Sequence, residues 1–155
     1  MVSGAFFDTS VLLAGMIEIG PVSAAAQRLM TAVASRRGAR PHTAWHCCLE
    51  FYAVSTRLPE ELRLTPSDAA RLVTEEILQR FEVHQLPVSA WRTFAQAAAQ
   101  ERTAGGRVYD AHIAEIARVA GAQVVVTDNR RHFSALLRHG IRVASAEEFA
   151  AEAGA

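Results

Sequence analysis

The stretch "AQVVVTDNRRHF", residues 122–133, decides the fold that we expect for this chain. Its three consecutive valines, Val124 to Val126, are typical of a strand that is buried on both faces of a sheet. The strand leads directly into Thr127, Asp128 and Asn129, and then into arginines. A buried strand that ends in a carboxylate and an amide either leaves the core through a turn or places these groups beside a positive charge.

The length and composition of the chain indicate a single domain over residues 1–155. The chain has 155 residues, of which 50% are hydrophobic and 21% are charged. This composition excludes a disordered or fibrous protein. No apolar run is long enough to cross a bilayer, and the first residues lack the pattern of a secretory signal, so we expect a cytoplasmic protein without membrane contact. The formal net charge is 0 and all basic residues are arginines, which disfavours strong non-specific binding to nucleic acid but suits a local phosphate-binding patch.

Short apolar segments alternate with longer segments of helical periodicity. We predict strands at 4–8, 38–43, 81–86, 123–127 and 141–143. We predict helices at 10–17, 21–37, 43–57, 65–80, 89–103 and 108–120, and a short acidic C-terminal helix that frays at 146–155. This alternation favours an α/β fold with three layers, α/β/α, around a central four- or five-stranded parallel sheet. Because ligands bind outside the carboxyl ends of parallel strands, acids at those ends are candidate site residues.

Two acids follow predicted strands. Asp8 ends the first strand and Asp128 follows the fourth, so we expect both at the same edge of the sheet. For Asp8, capping of the next helix is the structural alternative.

Two further acids lie on predicted helices. Asp110 is in a first helical turn, on the apolar face that continues at Ile113 and Ala117, although a first-turn acid also suits the helix dipole. Glu50 lies in the middle of a helix with Cys47 among its apolar neighbours. Because a buried, unpaired carboxylate is unfavourable, Glu50 either forms a salt bridge with an arginine or contacts a bound cation.

Four acids at one edge of a sheet repel one another unless a cation compensates them. Oxygen ligands without a dedicated set of cysteines and histidines favour a hard ion, Mg²⁺ or Mn²⁺. We interpret the adjacent Cys47 and Cys48 as small core residues. An ion held by a few carboxylates keeps positions for water and phosphate, so the chemistry favours hydrolysis of phosphodiesters.

Four blocks of the sequence match one known family in order along almost the whole chain. The blocks are "FFDTSVLL" (6–13), "CCLEFYAVSTRLP" (47–59), "GGRVYDAHIAEIA" (105–117) and "VVVTDNRRHF" (124–133). Together they resemble PIN-domain ribonucleases, most closely the VapC toxins of bacterial type II toxin–antitoxin pairs. The resemblance implies a PIN-like parallel sheet, an acidic cluster that binds Mg²⁺ or Mn²⁺, and cleavage of RNA. Asp8, Glu50 and Asp110 match the first three acidic positions of the family.

The fourth position of the family pattern has two candidates. The pattern is Thr, any residue, then Asp or Asn, so Thr127 and Asn129 occupy its fixed places and Asp128 its variable one. Since successive side chains of a strand point to opposite sides, Asp128 and Asn129 do not both face an ion. Either Asp128 supplies the fourth charge, which we slightly favour, or Asn129 is a neutral ligand. Ser10 matches a hydroxyl that supports the site in the family, with helix capping as its alternative.

Arginines surround this region of the sequence. Arg130, Arg131 and the histidine that follows them belong either to a solvated loop or to a strip that contacts RNA phosphates. Arg102 and Arg107 bracket a glycine pair and extend that strip. The arginines at 36–40 precede the second strand, at the opposite pole, and we do not assign them to the substrate. We interpret the other histidines as structural or solvated.

The resemblance also implies protein partners: a VapB-like antitoxin whose C-terminal segment covers the active-site groove, and a second copy of the chain in a homodimer formed through helices. The apolar residues of 10–23 either pack in the core, which is the default, or line such a groove. Two alternatives to the nuclease are an inert PIN-like module that binds RNA or protein, and a phosphatase of the haloacid dehalogenase type. The latter requires Asp-x-Asp and a lysine, whereas Asp8 is followed by Thr9 and Ser10 and the sequence has no lysine.

Overall fold

Five short strands form one parallel sheet in the computed structural model, which describes residues 4–155. The strands are β1 (Ala5–Phe7), β2 (His42–Ala44), β3 (Glu82–His84), β4 (Val124–Val126) and β5 (Arg142–Ala144). Their order is β3-β2-β1-β4-β5, and all neighbours pair in parallel. The prediction of a central parallel sheet with four or five strands is confirmed. The second strand lies later than the predicted 38–43 because Gly38 has a left-handed backbone, φ 107°, and Pro41 has no N–H for a ladder.

The remaining elements are helical. They are α1 (Thr9–Met16), α2 (Ser23–Ser35), α3 (Trp45–Ser55), α4 (Pro66–Arg71), a π-helical segment (Leu72–Ile77), α5 (Leu78–Arg80), α6 (Val88–Gln100), α7 (Arg107–Val119), a 3₁₀ helix (Arg130–His139) and α8 (Ala146–Ala153). The sequence did not predict the 3₁₀ helix. Its buried residues, Phe133 and Leu136, are three positions apart, which matches the three-residue turn of a 3₁₀ helix.

The helices form a layer on each side of the sheet. The chain runs from β1 to β2 and β3 in one direction and then crosses to β4 and β5 on the other side of β1. Because crossovers between parallel strands are right-handed, the two directions place their helices on opposite faces. Accordingly, α1 packs on α2 and α3, and α2 packs on α8, whereas α7 packs on α6 and the 3₁₀ helix. The predicted three-layer architecture is confirmed.

The sheet provides the centre of the hydrophobic core. All residues of β1 and β4 are buried, and Phe7 packs edge-on against Phe81 and Phe149. The acidic last helix, α8, begins with a capping box formed by Ser145 and Glu148. Its Phe149 is in the core, so this helix is anchored at its start. Among the described residues, no helix combines the length and the apolar character needed to cross a membrane.

Candidate functional site

The carboxyl ends of β1 and β4 meet at the point where the strand order of the sheet reverses. The Asp8 N–H donates to the Val126 carbonyl at 3.0 Å, which fixes the end of β1 beside that of β4. Such a reversal leaves a crevice between the helices that leave the two strands in opposite directions, and ligands of parallel α/β proteins bind in that crevice. Asp8 precedes α1, but its side chain makes no capping hydrogen bond to that helix. The carboxylate is therefore directed to other partners.

Asp8 is a buried carboxylate that two hydroxyl groups hold in place. Asp8 is only 4% exposed to solvent. The Thr127 hydroxyl donates to Asp8 Oδ2 at 2.7 Å, and the Ser10 hydroxyl donates to the same oxygen at 3.2 Å. The pKa of Asp8 is raised to about 6, mainly by burial and to a smaller extent by the negative charge of Glu50, while the hydrogen bonds from Thr127, the Thr9 backbone and Ser10 oppose this rise.

Glu50, on α3, lies beside Asp8. The Thr9 hydroxyl donates to Glu50 Oε1 at 2.8 Å. Asp8 therefore provides one carboxylate of the site, and the next residue, Thr9, holds the other. Burial raises the pKa of Glu50, and the nearby negative charge of Asp110 raises it as well, while the hydrogen bond from Thr9 and the positive charge of Arg57 lower it. The repulsion links Asp8 to Glu50 and Glu50 to Asp110. The structure therefore brings these three predicted acids to one edge of the sheet.

The acidic cluster of Asp8, Glu50 and Asp110 has little compensating positive charge. Asp110 Oδ2 is 3.0 Å from His132 Nδ1, and Glu50 Oε1 is 3.8 Å from His46 Nε2. In the part of the chain that the structure describes, no arginine forms an ion pair with any of the three acids. The salt bridge to an arginine that sequence patterning offered for Glu50 is absent there.

The oxygen donors of the acidic cluster suit a hard divalent cation. The carboxylates of the acidic cluster are spread more widely than the ligands of one ion. Within residues 4–155, only one group of three ligand residues has all its ligand atoms within 4.8 Å of one another, and that group is His42, Glu82 and His84 rather than the three acids. This spread is the expected result of mutual repulsion between carboxylates. An ion bound by all three acids would draw them closer together.

At the fourth position, the structure separates the roles of the neighbouring residues. The Thr127 hydroxyl, which donates to Asp8, also accepts from the Asn129 N–H at 3.0 Å. The Asp128 N–H donates to the Ser10 hydroxyl at 3.1 Å. Burial raises the pKa of the Asp128 carboxyl, which the backbone amide of Ala146 at the start of α8 partly offsets. Thr127 and Ser10 are thus part of the site by direct contact with Asp8, whereas the Asp128 carboxyl lies toward α8.

The two arginines after Asn129 have different surroundings. Arg130 Nη1 forms an ion pair with Glu148 Oε1 at 2.7 Å, which ties the start of the 3₁₀ helix to α8. Arg131 lines a groove between α6, α7 and the 3₁₀ helix. The predicted strip is therefore continued by Arg131 rather than by Arg130.

This groove, which we call the basic groove, has a volume of about 330 Å³ and reaches the acidic cluster at Asp110. Arg102, Arg107 and Arg131 line it. Its two other acids are each paired with an arginine, in the ion pairs Arg138–Glu101 and Arg118–Glu115. The groove therefore presents positive charge next to the acidic cluster.

Three contacts of the site escaped the sequence analysis. The His46 and His112 Nδ1 atoms are 2.7 Å apart, and burial lowers the pKa of both side chains. The Thr9 hydroxyl contacts Glu50, and the only feature of the sequence that indicates a role for Thr9 in the site is its position next to Asp8. The sequence groups His132 with the arginines of a solvated loop or phosphate-contacting strip, whereas in the structure His132 lies against Asp110. No spacing in the sequence reveals these pairs, because each joins different elements.

A sequence model described as a PIN domain matches residues 5–131. Among curated proteins, Ribonuclease VapC40 of Mycobacterium tuberculosis is 31% identical over 123 residues, which cover 79% of this chain and 85% of that protein. Ribonuclease VapC27 of the same species is 39% identical over 90 residues, which cover 55% of this chain and 60% of that protein. The match to VapC27 thus spans less than two thirds of its length.

Solved structures share the fold at low sequence identity. VapBC-1 from nontypeable Haemophilus influenzae has a TM-score of 0.61 at 15% identity, and the match covers 92% of this chain and 98% of that one. FitAcB from Neisseria gonorrhoeae has a TM-score of 0.58 at 16% identity, with the same coverage. The family model spans most of the chain, and VapC40 is matched over most of its own length. The chain therefore belongs to the PIN domain family.

Proposed function

We propose that the protein is a metal-dependent endoribonuclease that hydrolyses RNA phosphodiester bonds and acts as the toxin of a toxin–antitoxin pair. The observation that carries this proposal is the acidic cluster, which contains the buried Asp8 and whose acids form no ion pair with an arginine within residues 4–155. Its place at the reversal of the strand order is where parallel α/β proteins bind ligands. The names of VapC27 and VapC40, both ribonucleases, support the same activity.

Asp8, Glu50 and Asp110 would hold Mg²⁺ or Mn²⁺, with either Asp128 or Asn129 in the fourth place. The donor set fits these ions, because hard cations prefer carboxylate oxygens and the cluster has an excess of negative charge. When bound, the ion would polarise a phosphoryl oxygen and increase the acidity of a water. Because the Asp128 carboxyl lies toward α8, we now favour Asn129 as the neutral fourth ligand, or as a residue that holds a water.

The other residues of the site have positioning roles in this proposal. Thr127 and Ser10 fix the orientation of Asp8, and Thr9 fixes that of Glu50. Fixed carboxylates lower the cost of ordering the site when the substrate binds. The hydroxyl groups therefore prepare the acids for the ion.

The arginines of the basic groove would bind the RNA backbone. Arg102, Arg107 and Arg131 offer planar donor pairs that match phosphate oxygens. Because Asp110 lines the groove, RNA that lies in it would pass the acidic cluster. Contacts of this kind position the strand without reading its sequence.

We further propose a VapB-like antitoxin and a second copy of the chain as partners, acting together in the cytoplasm. Exposed apolar side chains support a protein partner: Trp45, Leu49 and Trp91 line an apolar groove of about 440 Å³ that also includes Glu50. An antitoxin segment in this groove would cover the acidic cluster. In 10–23, by contrast, Val11, Leu12 and Ala14 are in the core, as the default interpretation predicted.

Cleavage of a defined RNA by the purified chain, with Mg²⁺, Mn²⁺ or EDTA, tests the activity. We expect cleavage with either ion, none in EDTA, and a loss of about 100-fold or more in Asp8→Asn and Asp110→Asn. An exposed carboxylate outside the site gives the matched control, Asp68→Asn, which should cleave like the wild type. Wild-type rates in Asp8→Asn would refute the proposal. RNA binding without cleavage by the wild type would instead favour the inert binding module.

A second pair of variants decides the fourth position. If Asn129 contacts the ion or its water, Asn129→Ala loses cleavage while Asp128→Asn retains most of it. The reverse result would return the fourth place to Asp128.

A further inference from the structure

Two histidines and a glutamate from neighbouring strands meet on one face of the sheet, and none of them belongs to the acidic cluster. Parallel pairing sets His42 of β2 opposite Glu82 of β3, and Ala44 opposite His84. Because side chains alternate along a strand, His42, Glu82 and His84 project to the same face. The small Ala44 leaves room for the larger His84. We call these three residues the edge trio, since β3 is one of the two edge strands of the sheet.

The ligand atoms of the edge trio are spaced like those of one small metal ion. His42 Nδ1 is 2.8 Å from His84 Nε2 and 3.5 Å from Glu82 Oε2, and His84 Nε2 is 3.9 Å from Glu82 Oε2. Tetrahedral bonds of about 2.0–2.1 Å to zinc separate their ligand atoms by about 3.3 Å. The three observed distances lie on both sides of this value, so small side-chain rotations suffice to surround an ion.

We propose that the edge trio binds one Zn²⁺ ion, at a site separate from the acidic cluster. Two imidazoles and one carboxylate form a donor set that zinc uses in proteins, with the fourth position left to water. Nitrogen ligands favour zinc over Mg²⁺ and Mn²⁺, whereas the oxygens of the acidic cluster favour the hard ions. The two sites therefore differ in the metals that they select.

The protonation and exposure of the edge trio allow an ion to enter. The ring nitrogens of His42 and His84 are within hydrogen-bonding distance, so one of them donates a proton and the other accepts it. Burial lowers the pKa of His84, the nearby His42 lowers it further, and Glu82 opposes this. The side chains are 16% (His42), 28% (His84) and 52% (Glu82) exposed, so solvent reaches the site. On binding, the proton between the rings moves to a remote ring nitrogen or is released.

Zinc bound by the edge trio would cross-link the edge strand β3 to its neighbour β2. β3 has three residues and pairs only with β2, so a metal bridge between the two strands adds a cross-link to the one ladder that holds β3 in the sheet. β2 continues directly into α3, which carries Glu50. The predicted result is higher stability of the folded chain with zinc, because an ion that binds only the folded state stabilises it.

The test uses the full chain after removal of metals by a chelator. Thermal melting is followed with added Zn²⁺ or Mg²⁺, and Co²⁺ titration is followed by visible absorption, which reports tetrahedral coordination. We expect one tetrahedral Co²⁺ per chain at the edge trio, and a zinc-dependent rise in melting temperature that adds to any rise produced by Mg²⁺ at the acidic cluster. Loss of one ligand should weaken Co²⁺ binding by roughly tenfold or more, since even an outer partner of a metal ligand contributes about 10–100-fold.

Three variants distinguish this site from others. Glu82→Gln and His84→Gln change partly exposed side chains of the edge strand and should lose both the Co²⁺ spectrum and the rise in melting temperature. His139→Gln, at an exposed histidine outside the trio, should keep both. Asp8→Asn should also keep them. The proposal is wrong if the wild type shows no tetrahedral Co²⁺ spectrum, if the two edge-strand variants bind as the wild type does, or if only Asp8→Asn loses binding.

Discussion

The Thr127 hydroxyl donates a hydrogen bond of 2.7 Å to the Asp8 carboxylate, across the two strands at which the order of the sheet reverses. Thr127 is fully buried and Asp8 nearly so. The hydrogen bond lowers the pKa of Asp8 against the larger effect of burial. One hydroxyl group thus joins β4 to β1 and partly compensates for a buried charge that the proposed chemistry requires.

We expect Thr127→Val to raise the pKa of Asp8 above 6 and to destabilise the metal-free protein at neutral pH. A hydrogen bond to a charged group contributes about 1.5–3 kcal/mol, and its removal leaves the carboxylate less compensated. The loss should shrink toward about pH 4, where the folded protein carries Asp8 in its neutral form. Chemical denaturation across this pH range, together with NMR titration of the carboxyl carbon, measures both effects.

Thr43→Val is the matched control for this variant. Thr43 is also fully buried, and its hydroxyl donates to the Phe7 carbonyl at 2.7 Å, an acceptor that does not titrate. Its replacement should cost the same at all pH values in the range. A pH-independent cost in Thr127→Val as well would contradict the coupling between Thr127 and Asp8.

Asp8→Asn should stabilise the protein at neutral pH in EDTA while abolishing cleavage. The pKa of Asp8 in the folded protein is about 6, above its ordinary value of 3.8, so the folded state binds the proton more tightly than the unfolded state. The contribution of Asp8 to stability is therefore greatest below pH 3.8 and is lost as the pH rises through 6. Asparagine does not titrate, so the variant avoids this loss, and its free energy of unfolding at neutral pH should exceed that of the wild type by up to about 3 kcal/mol. Chemical denaturation at several pH values measures the difference.

The comparison with Asp110 sharpens this test. From the sequence, repulsion within the cluster predicts that Asp110→Asn also raises stability in EDTA. The structure predicts a smaller gain, because Asp110 has His132 at 3.0 Å and loses this partner on substitution. Glu60→Gln, at an exposed site, controls for the change of charge. An Asp8→Asn variant less stable than Glu60→Gln would overturn the repulsion argument.

The affinity for Mn²⁺ should rise with pH up to a plateau above about 6. An ion must displace the proton from Asp8, so affinity falls by about tenfold for each unit of pH below that value if one proton is released. Calorimetric titration in buffers of different ionisation enthalpy measures both the affinity and the proton release. Affinity that is constant from pH 5 to 7 would show that the ion does not contact Asp8.

Much of the fold and the centre of the site could be predicted from local sequence. The run of three valines marks β4, and a polar residue directly after a buried strand must lie at the edge of the sheet, which places Asp8 and Thr127. Helix patterning made Glu50 and Asp110 candidates, and the resemblance to PIN-domain ribonucleases supported them, because their place in the site depends on helix packing.

The remaining features depend on contacts between distant elements. The edge trio requires a particular register between β2 and β3, which three-residue strands with few apolar side chains do not encode in an evident pattern. The partnership of His132 with Asp110 depends on how the 3₁₀ helix packs on α7, and that helix escaped prediction because its period differs from that of an α-helix.

Arg107→Ala and Arg131→Ala should each weaken RNA binding in EDTA and reduce its dependence on salt. Each side chain that contacts a phosphate contributes about 0.7 to the slope of log affinity against log salt for a single strand. Arg37 precedes β2, at the end of the sheet opposite to the acidic cluster. The control variant Arg37→Ala should therefore leave the slope of log affinity against log salt unchanged. Equal effects of all three substitutions would show that the basic groove has no special role.

Arg102 offers a test that separates charge from backbone strain. It is the one residue other than glycine with a positive φ, 56°, within residues 4–155, and it lines the basic groove. A left-handed backbone costs a side-chain-bearing residue about 1–2 kcal/mol, whereas the freedom of glycine in the unfolded chain costs about 0.5–1 kcal/mol. Arg102→Gly should therefore stabilise the protein by about 0.5–1 kcal/mol in denaturant titrations, and it should weaken RNA binding.

Arg102→Ala completes the comparison, because it removes the guanidinium and keeps the strain. We expect it to weaken RNA binding as much as Arg102→Gly does, with no gain in stability. If Arg102→Gly instead binds RNA like the wild type, the strained conformation serves the loop alone and the guanidinium does not contact phosphate. A strained arginine that contributes to binding would mean that the chain gives up stability to direct positive charge at the RNA path beside Asp110.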